Sequence, residues 1–377
     1  MHIAFLTPEY PHSAIKHSAG IGTSIKNLSQ ALCDEGHEVT LFVYGQEEDA
    51  VFTEYGVHFH LIKQRTYLFG GFYFYRKYIA HYINRNSAEL HLLEAVDWTG
   101  ITAFCKFQIP HVIRLHGSDT YFCHLENRSQ KKKNYLFEKW ALKNATGITS
   151  VSAFTAATTK ELFGLENEIT VIPNLINLED LGPIHSKSET TYILNFGSVI
   201  RKKGVIALAK AFNVLAAQLP DVQLKYLGKD VKDVWTGKMT SELIRQEIDT
   251  VHRHRVEFID QVAYKEVSKY INAATVVCLP SYAEAFPMTW LEAMALEKPL
   301  VTSNIGWSPE LMLQEHTGLT INPDDTKLFT EALRRMLEDR EFARNCGVNA
   351  RRYLESRFSK NKILNQNKAF YNTIIHV

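Results

Sequence analysis

Short apolar runs alternate with amphipathic segments along this whole chain, and no other feature restricts its fold as much. Strand-length runs separated by helical periods build β-α units, whose strands lie parallel and whose sheets are covered on both faces. In the first half the runs fall at residues 3–7, 39–43, 90–94, 112–116, 147–151 and 169–172. In the second they fall at 192–196, 223–227, 256–259, 275–279, 299–302 and 319–321. The expected fold class is α/β, with two doubly wound parallel sheets. The clearest helix is 21–35, where Ile21, Ile25, Leu28, Ala31 and Leu32 share one face and Gly36 stands at the C-terminal cap.

A chain of 377 residues exceeds what one hydrophobic core supports, so two domains are expected. Residues 174–190 hold no sustained period and contain Gly182 and Pro183, the composition of an inter-domain linker. The boundaries are set at 1–178 and 190–357. Ligands of doubly wound sheets sit at the carboxyl ends of the strands, so two facing sheets place the site in a cleft between them. Lys plus Arg is 42 against 41 for Asp plus Glu, which leaves no global field to attract nucleic acid. Any anion site must be built locally. Five scattered cysteines without a C-x-x-C pair read as reduced cytosolic thiols, and the expected location is cytoplasmic. The apolar run at 3–6 ends at Pro8, too short for a signal peptide, and no run reaches the ~18 residues of a membrane span.

The richest stretch is 280–305, PSYAEAFPMTWLEAMALEKPLVTSNI, in which seven residues separate Glu284 from Glu292. With a strand ending at 279 and Pro287 in the first turn of a helix, Glu284 lies in the loop and Glu292 one turn into the helix. Ala285, Phe286, Pro287 and Met288 then form a helix start suited to a diphosphate, flanked by two carboxylates able to accept sugar and ribose hydroxyl bonds. A second constellation, GSVIRKKG at 197–204, follows the strand 192–196. Its cations, Arg201 and Lys203, can neutralise phosphate oxygens as a nucleotide departs.

This text resembles the retaining GT-B glycosyltransferases that carry an E-x7-E motif, family 4. The match covers most of the chain, with P-S-x-x-E-A-F, L-E-A-M-A, Pro299, Gly306, Glu310 and Gly318 continuing the family wording. The resemblance implies a GT-B fold of two facing Rossmann-like domains. The first takes the acceptor, the second binds a nucleotide sugar, and a last helix within 358–377 crosses back to the first. It assigns Glu284 to the donor sugar and Glu292 to the ribose hydroxyls. Lys203 matches the family's loop lysine, while Ser198 stands where the family has Arg and Arg201 is the candidate replacement. Gly22, in Gly20-Ile21-Gly22-Thr23, matches the glycine-rich loop before the first helix. His116, in His116-Gly117-Ser118-Asp119, matches H-G-x-D and is assigned the donor sugar; Asp119 is the acceptor-side candidate. Trp307 and Leu175 replace glycines of the family pattern, and Ser152 is read first as a helix cap.

The resemblance implies a retaining hexosyl transfer from a nucleotide sugar, with UDP the expected carrier, to a glycan, lipid-linked or small-molecule acceptor in polysaccharide biosynthesis. No cofactor is expected, because the nucleotide sugar is a substrate. The chain lacks a D-x-D pair to bridge a metal to a diphosphate, so no metal is expected either. Two other readings share the fold: a sugar-nucleotide epimerase, and an inactive binding subunit of a polysaccharide assembly complex. Finally, residues 65–85, RTYLFGGFYFYRKYIAHYINR, interleave aromatics with cations and are followed by Lys131, Lys132 and Lys133. Two readings fit: a helix burying Phe72, Tyr75, Ile79, Tyr82 and Ile83, or peripheral contact with a membrane.

Overall fold

Apolar strands assemble two separate parallel sheets in the computed structural model, which describes residues 1–179, 181–183 and 190–376. The chain divides into two compact units, Met1–Ile176 with Phe358–Val377 (unit 1) and Asn177–Arg357 (unit 2). The expected linker, 174–190, straddles this division; its residues 180 and 184–189 lie outside the described residues.

Unit 1 holds β1 (His2–Thr7), β2 (Glu38–Gln46), β3 (Ala50–Glu54), β4 (Val57–Lys63), β5 (Leu92–Val96), β6 (His111–Leu115), β7 (Gly147–Ser150) and β8 (Thr170–Val171) in the order β3-β4-β2-β1-β5-β6-β7-β8. All neighbours pair parallel except β3 with β4. The intervening helices are α1 (Gly20–Asp34), α2 (Gly71–Arg85), α3 (Asp119–Leu125), α4 (Lys132–Asn144) and α5 (Ala153–Phe163). One apolar layer sets Leu6, Phe42 and Leu93 of the sheet against Ile79 and Ile83 of α2; another sets Ile113 and Leu115 against Leu142 and Phe163.

Strands β3 and β4 have no counterpart among the apolar runs. In β4 the buried Val57, Phe59 and Leu61 alternate with His58 and His60, and β3 is a half-exposed edge, so neither forms a continuous apolar run. The expected strand at 90–94 moves to Leu92–Val96 because Leu90 closes a turn onto the Ser87 carbonyl. The strand expected at 112–116 ends at Leu115, leaving His116 just past its carboxyl end.

Unit 2 holds β9 (Tyr192–Phe196), β10 (Gln223–Leu227), β11 (Val256–Ile259), β12 (Val276–Leu279), β13 (Leu300–Ser303) and β14 (Leu319–Ile321), ordered β11-β10-β9-β12-β13-β14 and parallel throughout. Its helices are α6 (Val205–Gln218), α7 (Thr240–Glu247), α8 (Tyr264–Ala273), α9 (Met288–Ala295), α10 (Ser308–Leu311), α11 (Thr326–Glu338) and α12 (Arg340–Phe358). Leu208, Phe212 and Leu215 of α6 pack with Phe329, Leu333 and Met336 of α11 over the sheet.

The last helix, α13 (Lys360–Ile375), belongs to unit 1 although it follows unit 2 in the chain. It buries Ile363, Leu364, Phe370 and Tyr371. Buried polar groups fix its register: Arg114 donates from Nε to Glu94 at 2.7 Å and also to Asn367 of α13, while the Tyr371 hydroxyl donates to Glu94 at 2.9 Å. A buried carboxylate and guanidinium so close require each other and further donors and acceptors, and α13 supplies them. Lys360 with Asp34, at 2.6 Å, and Lys368 with Glu35 join it to the end of α1.

Candidate active site

In unit 2 the loop after β9 and the loop after β12 are bound backbone to backbone. Gly204 has φ +71°, and a Cβ there would lie 2.0 Å from the Pro280 carbonyl oxygen, so only glycine permits this approach. The Tyr282 amide donates to the Lys202 carbonyl at 2.7 Å. This contact sets Lys203 directly against Glu284, and Lys203 Nζ donates to Glu284 Oε1. Both side chains are largely withdrawn from solvent, at 19% and 10% exposure, so screening of the pair is weak.

Pro287 is the cap residue before α9 rather than part of its first turn, with an extended backbone (ψ 112°) and the helix beginning at Met288. The expectation for Glu292 is unaffected: it lies one turn in, 6% exposed, and accepts from the Tyr264 hydroxyl at 2.9 Å. Burial pushes its carboxyl up to about 7; the Tyr264 hydrogen bond and the Lys203 charge pull it partly back. Ala285, Phe286 and Met288 are buried around the helix start. The first amides of a helix have no carbonyl one turn back to bond, which makes a helix start a candidate anion site, although here the Trp290 amide already donates to the Pro287 carbonyl at 3.1 Å.

Arg201 is held elsewhere. Its Nε and a terminal nitrogen donate to the two carboxylate oxygens of buried Asp233 at 2.6 and 3.1 Å, and Asp233 also accepts from the Thr236 amide and hydroxyl. Ser198 is exposed. Lys203 is thus set against Glu284, while Arg201 is turned to Asp233.

In unit 1, His116 is 8% exposed and its backbone is clamped by Asp97, whose carboxylate accepts from the His116 amide at 3.0 Å and the Gly117 amide at 3.1 Å. Burial, with Arg114 nearby, lowers the imidazole to about 3, so it is neutral at physiological pH. Among the described residues its buried Nε2 has no hydrogen-bond partner. Asp119 opens α3 behind the Ser118 cap; its carboxylate accepts from Asn134 at 2.8 Å. The amides of Asp119 and Thr120 go to the buried carboxylate of Glu138.

Gly22 serves packing. A Cβ there would meet the Tyr10 Cα at 2.9 Å, and its amide donates to Glu9 at 2.8 Å. The close approach this glycine allows is thus to the chain's own backbone, and a carboxylate of the protein already occupies the start of α1. Ser152 caps α5 by accepting from the Thr155 amide, as expected.

Four carboxylates and one phenol that shape these sites went unnoticed in the sequence: Glu9, Asp97, Glu138, Asp233 and Tyr264. Asp97 had a signal, an acid directly after an apolar strand-length run. The others act across 13 to 32 residues of chain, on Gly22, Asp119, Arg201 and Glu292, where spacing carries no local pattern.

Two doubly wound parallel-sheet units, one presenting a lysine and two glutamates at a helix start, define a GT-B protein. Residues 18–180 match the family model described as glycosyltransferase family 4, and residues 179–353 match that of the glycosyl transferases group 1. An uncharacterized glycosyltransferase of Methanocaldococcus jannaschii is 25% identical over 251 residues, 66% of this chain. The alignment spans 64% of that relative's length. Among solved structures, a sucrose-phosphate synthase from Thermosynechococcus elongatus superposes with a TM-score of 0.82 at 20% identity, covering 100% of this chain and 99% of that one. HepE of Anabaena, solved with UDP-glucose, has a TM-score of 0.76 at 18% identity, covering 99% and 100%. The chain belongs to the group 1 glycosyltransferases of the GT-B fold. Among the described residues no helix is long and apolar enough to cross a membrane.

Proposed function

We propose that the chain transfers a sugar from a nucleoside diphosphate, with UDP as carrier, to a hydroxyl of a glycan or lipid-linked acceptor, retaining the anomeric configuration and using no metal. The observation that carries this reading is the pairing of Lys203 with Glu284 beside Glu292 at the start of α9. Glu292 accepts the ribose hydroxyls and Glu284 the sugar hydroxyls. As the bond from the anomeric carbon to the phosphate oxygen breaks, charge grows on the diphosphate, where Lys203 and the first amides of α9 meet it. The acceptor oxygen bonds to the anomeric carbon and its proton leaves with the nucleotide. The UDP-glucose seen in the structurally similar HepE supports UDP as carrier. His116 takes the sugar-contacting role its motif implies; peripheral membrane contact accompanies the lipid-linked case.

A thermal-shift panel of nucleotide sugars tests this. At 100 times its dissociation constant the correct donor should stabilise the protein by about 2.7 kcal/mol, and a panel in which none shifts the transition overturns the reading. With an acceptor found, transfer should persist in EDTA. Restoration of an EDTA-abolished activity by manganese removes the phosphate role given to Lys203, and an epimerised sugar from donor alone removes transfer itself.

A further inference from the structure

The aromatic segment 65–85 is only partly taken into the core of unit 1. Tyr75, Ile79 and Ile83 are buried, but Phe72 is not. Leu68 and Phe69, in the loop before α2, are 98% and 86% exposed, and Phe72 and Phe74 in its first turn 58% and 49%. From α4, Leu136 and Trp140 add side chains 59% and 51% exposed. The two helices share one surface: Phe104 packs on Tyr73 at 5.4 Å and on Trp140 at 4.6 Å, and Lys133 Nζ stands 3.1 Å from the Phe72 ring centre. Single exposed apolar residues are ordinary, whereas a contiguous group marks a contact surface.

Charge identifies what it contacts. Residues 66–86 contain no Asp or Glu, and residues 126–144 contain Arg128, Lys131, Lys132, Lys133, Lys139 and Lys143 against two acids, Glu126, which pairs with Arg128 at 3.1 Å, and Glu138. Glu138 is buried and bonded to the start of α3, so it leaves the surface lysines uncompensated. Lys131, Lys132 and Lys133 are all exposed. Rings and a leucine beside ammonium groups that have no carboxylate partner among the described residues complement an anionic lipid surface, the apolar side chains entering the headgroup region and the lysines meeting lipid phosphates.

We propose that this face of unit 1 docks on an anionic bilayer. Because β4 and β6 belong to one parallel set, the loop before α2 and the His116 loop leave the same carboxyl edge of the sheet. α4 also begins at that edge, since it runs back to the start of β7. Docking therefore turns the edge carrying His116 toward lipid. The inference that the acceptor is lipid-linked rests in addition on the transferase reading.

Flotation of the full chain with phosphatidylcholine vesicles and with vesicles also containing phosphatidylglycerol, at low and moderate salt, decides the matter. The protein should float with the anionic vesicles only, and less at the salt where the Debye length falls to about 8 Å. Replacing Lys131, Lys132 and Lys133 by Gln should lower partitioning about a hundredfold. Leu68→Ser with Phe69→Ser, both on fully outward side chains, should abolish it, with melting temperature and nucleotide-sugar thermal shift unchanged in both variants. Protein that stays in solution on anionic vesicles at low salt overturns the proposal, as does equal binding to neutral vesicles. Dissociation of a dimer by the same substitutions, read by light scattering, also overturns it and identifies a second copy as the occupant. The lipid-free nucleotide panel fails or succeeds independently, so failure of docking and failure of the transferase reading are told apart.

Discussion

Glu284 and Glu292 are both buried near Lys203, yet their surroundings differ, and so should the consequences of removing them. Glu284 is the direct ion-pair partner of Lys203, whereas Glu292 is bonded to a neutral phenol and held by burial near a pKa of about 7. Glu292→Ala should weaken UDP binding in calorimetry by about tenfold or more, the worth of a charge-assisted bond, while Glu284→Ala should leave UDP affinity within a few-fold and slow transfer. Equal loss of UDP affinity in both contradicts the assignment. The raised carboxyl also makes a stability prediction. A folded-state value near 7 against an ordinary 4.5 means the native state holds the proton more tightly than the unfolded one. This stabilisation, about 3 kcal/mol, is complete below pH 4.5 and is lost as pH rises through 7. The ligand-free protein should melt at lower temperature at pH 8 than at pH 5.5, and Glu292→Gln should flatten part of that slope. Asp97, raised to about 7 by burial, contributes with the same sign and remains in the variant. UDP affinity should run the other way, rising from pH 6 to 8, because the ionised carboxylate is the better acceptor for ribose hydroxyls.

Among the elements, α13 offers the cleanest test, since its attachment to unit 1 rests on a few named groups. Tyr371→Phe removes one donor from the buried Glu94 carboxylate and keeps the ring, so a loss of about 2 kcal/mol of stability is expected, with faster hydrogen exchange in β5 and β6. Deleting residues 359–377 should have the same signature, larger. Exchange in β5 and β6 left at the wild-type rate shows that α13 is not part of their packing. The helix itself was legible, because Ile363, Leu364, Phe370 and Ile374 recur at helical spacing. Arg114 and Glu94, its sheet-side partners, were not, since their charges sit inside strands that read as apolar. All six strands of unit 2 were legible within a residue or so at each end; β9, β12 and β13 are buried throughout and read as nearly continuous apolar runs, and the partly exposed β10, β11 and β14 kept enough apolar residues to be seen. β3 and β4 escaped for the opposite reason, β4 alternating around His58 and His60 and β3 lying half-exposed at the edge. In the candidate site, motif text named Lys203, Glu284 and Glu292, which the fold brings close together, while the partnership of Arg201 with Asp233 was fixed only by folding. The residues that orient a functional group mostly come from elsewhere in the chain, and a one-dimensional pattern does not record them.

At the scale of the whole molecule the formal charge is +1, so the diphosphate of the proposed donor would have to be met by local groups, and the same inventory bears on stereochemistry. Inversion needs a base that removes the acceptor proton from the face opposite the departing nucleotide. His116, near a pKa of 3, is too weak a base for that at neutral pH. Glu292 has a suitable value but already accepts from Tyr264 within the donor half of the chain. Glu138 is bonded to the start of α3, and Asp97 to the amides of His116 and Gly117. In the retaining reading proposed above, the departing phosphate oxygen is itself the acceptor for the proton. It leaves from the face it occupied, so the acceptor oxygen delivering that proton arrives on the same face. The product should therefore carry the donor's anomeric configuration. This is read by proton NMR of the product at early time, from the coupling constant of the anomeric proton, with the donor's own signal as reference. A product of opposite configuration before any mutarotation assigns the proton to a protein base, and the retaining mechanism falls with it.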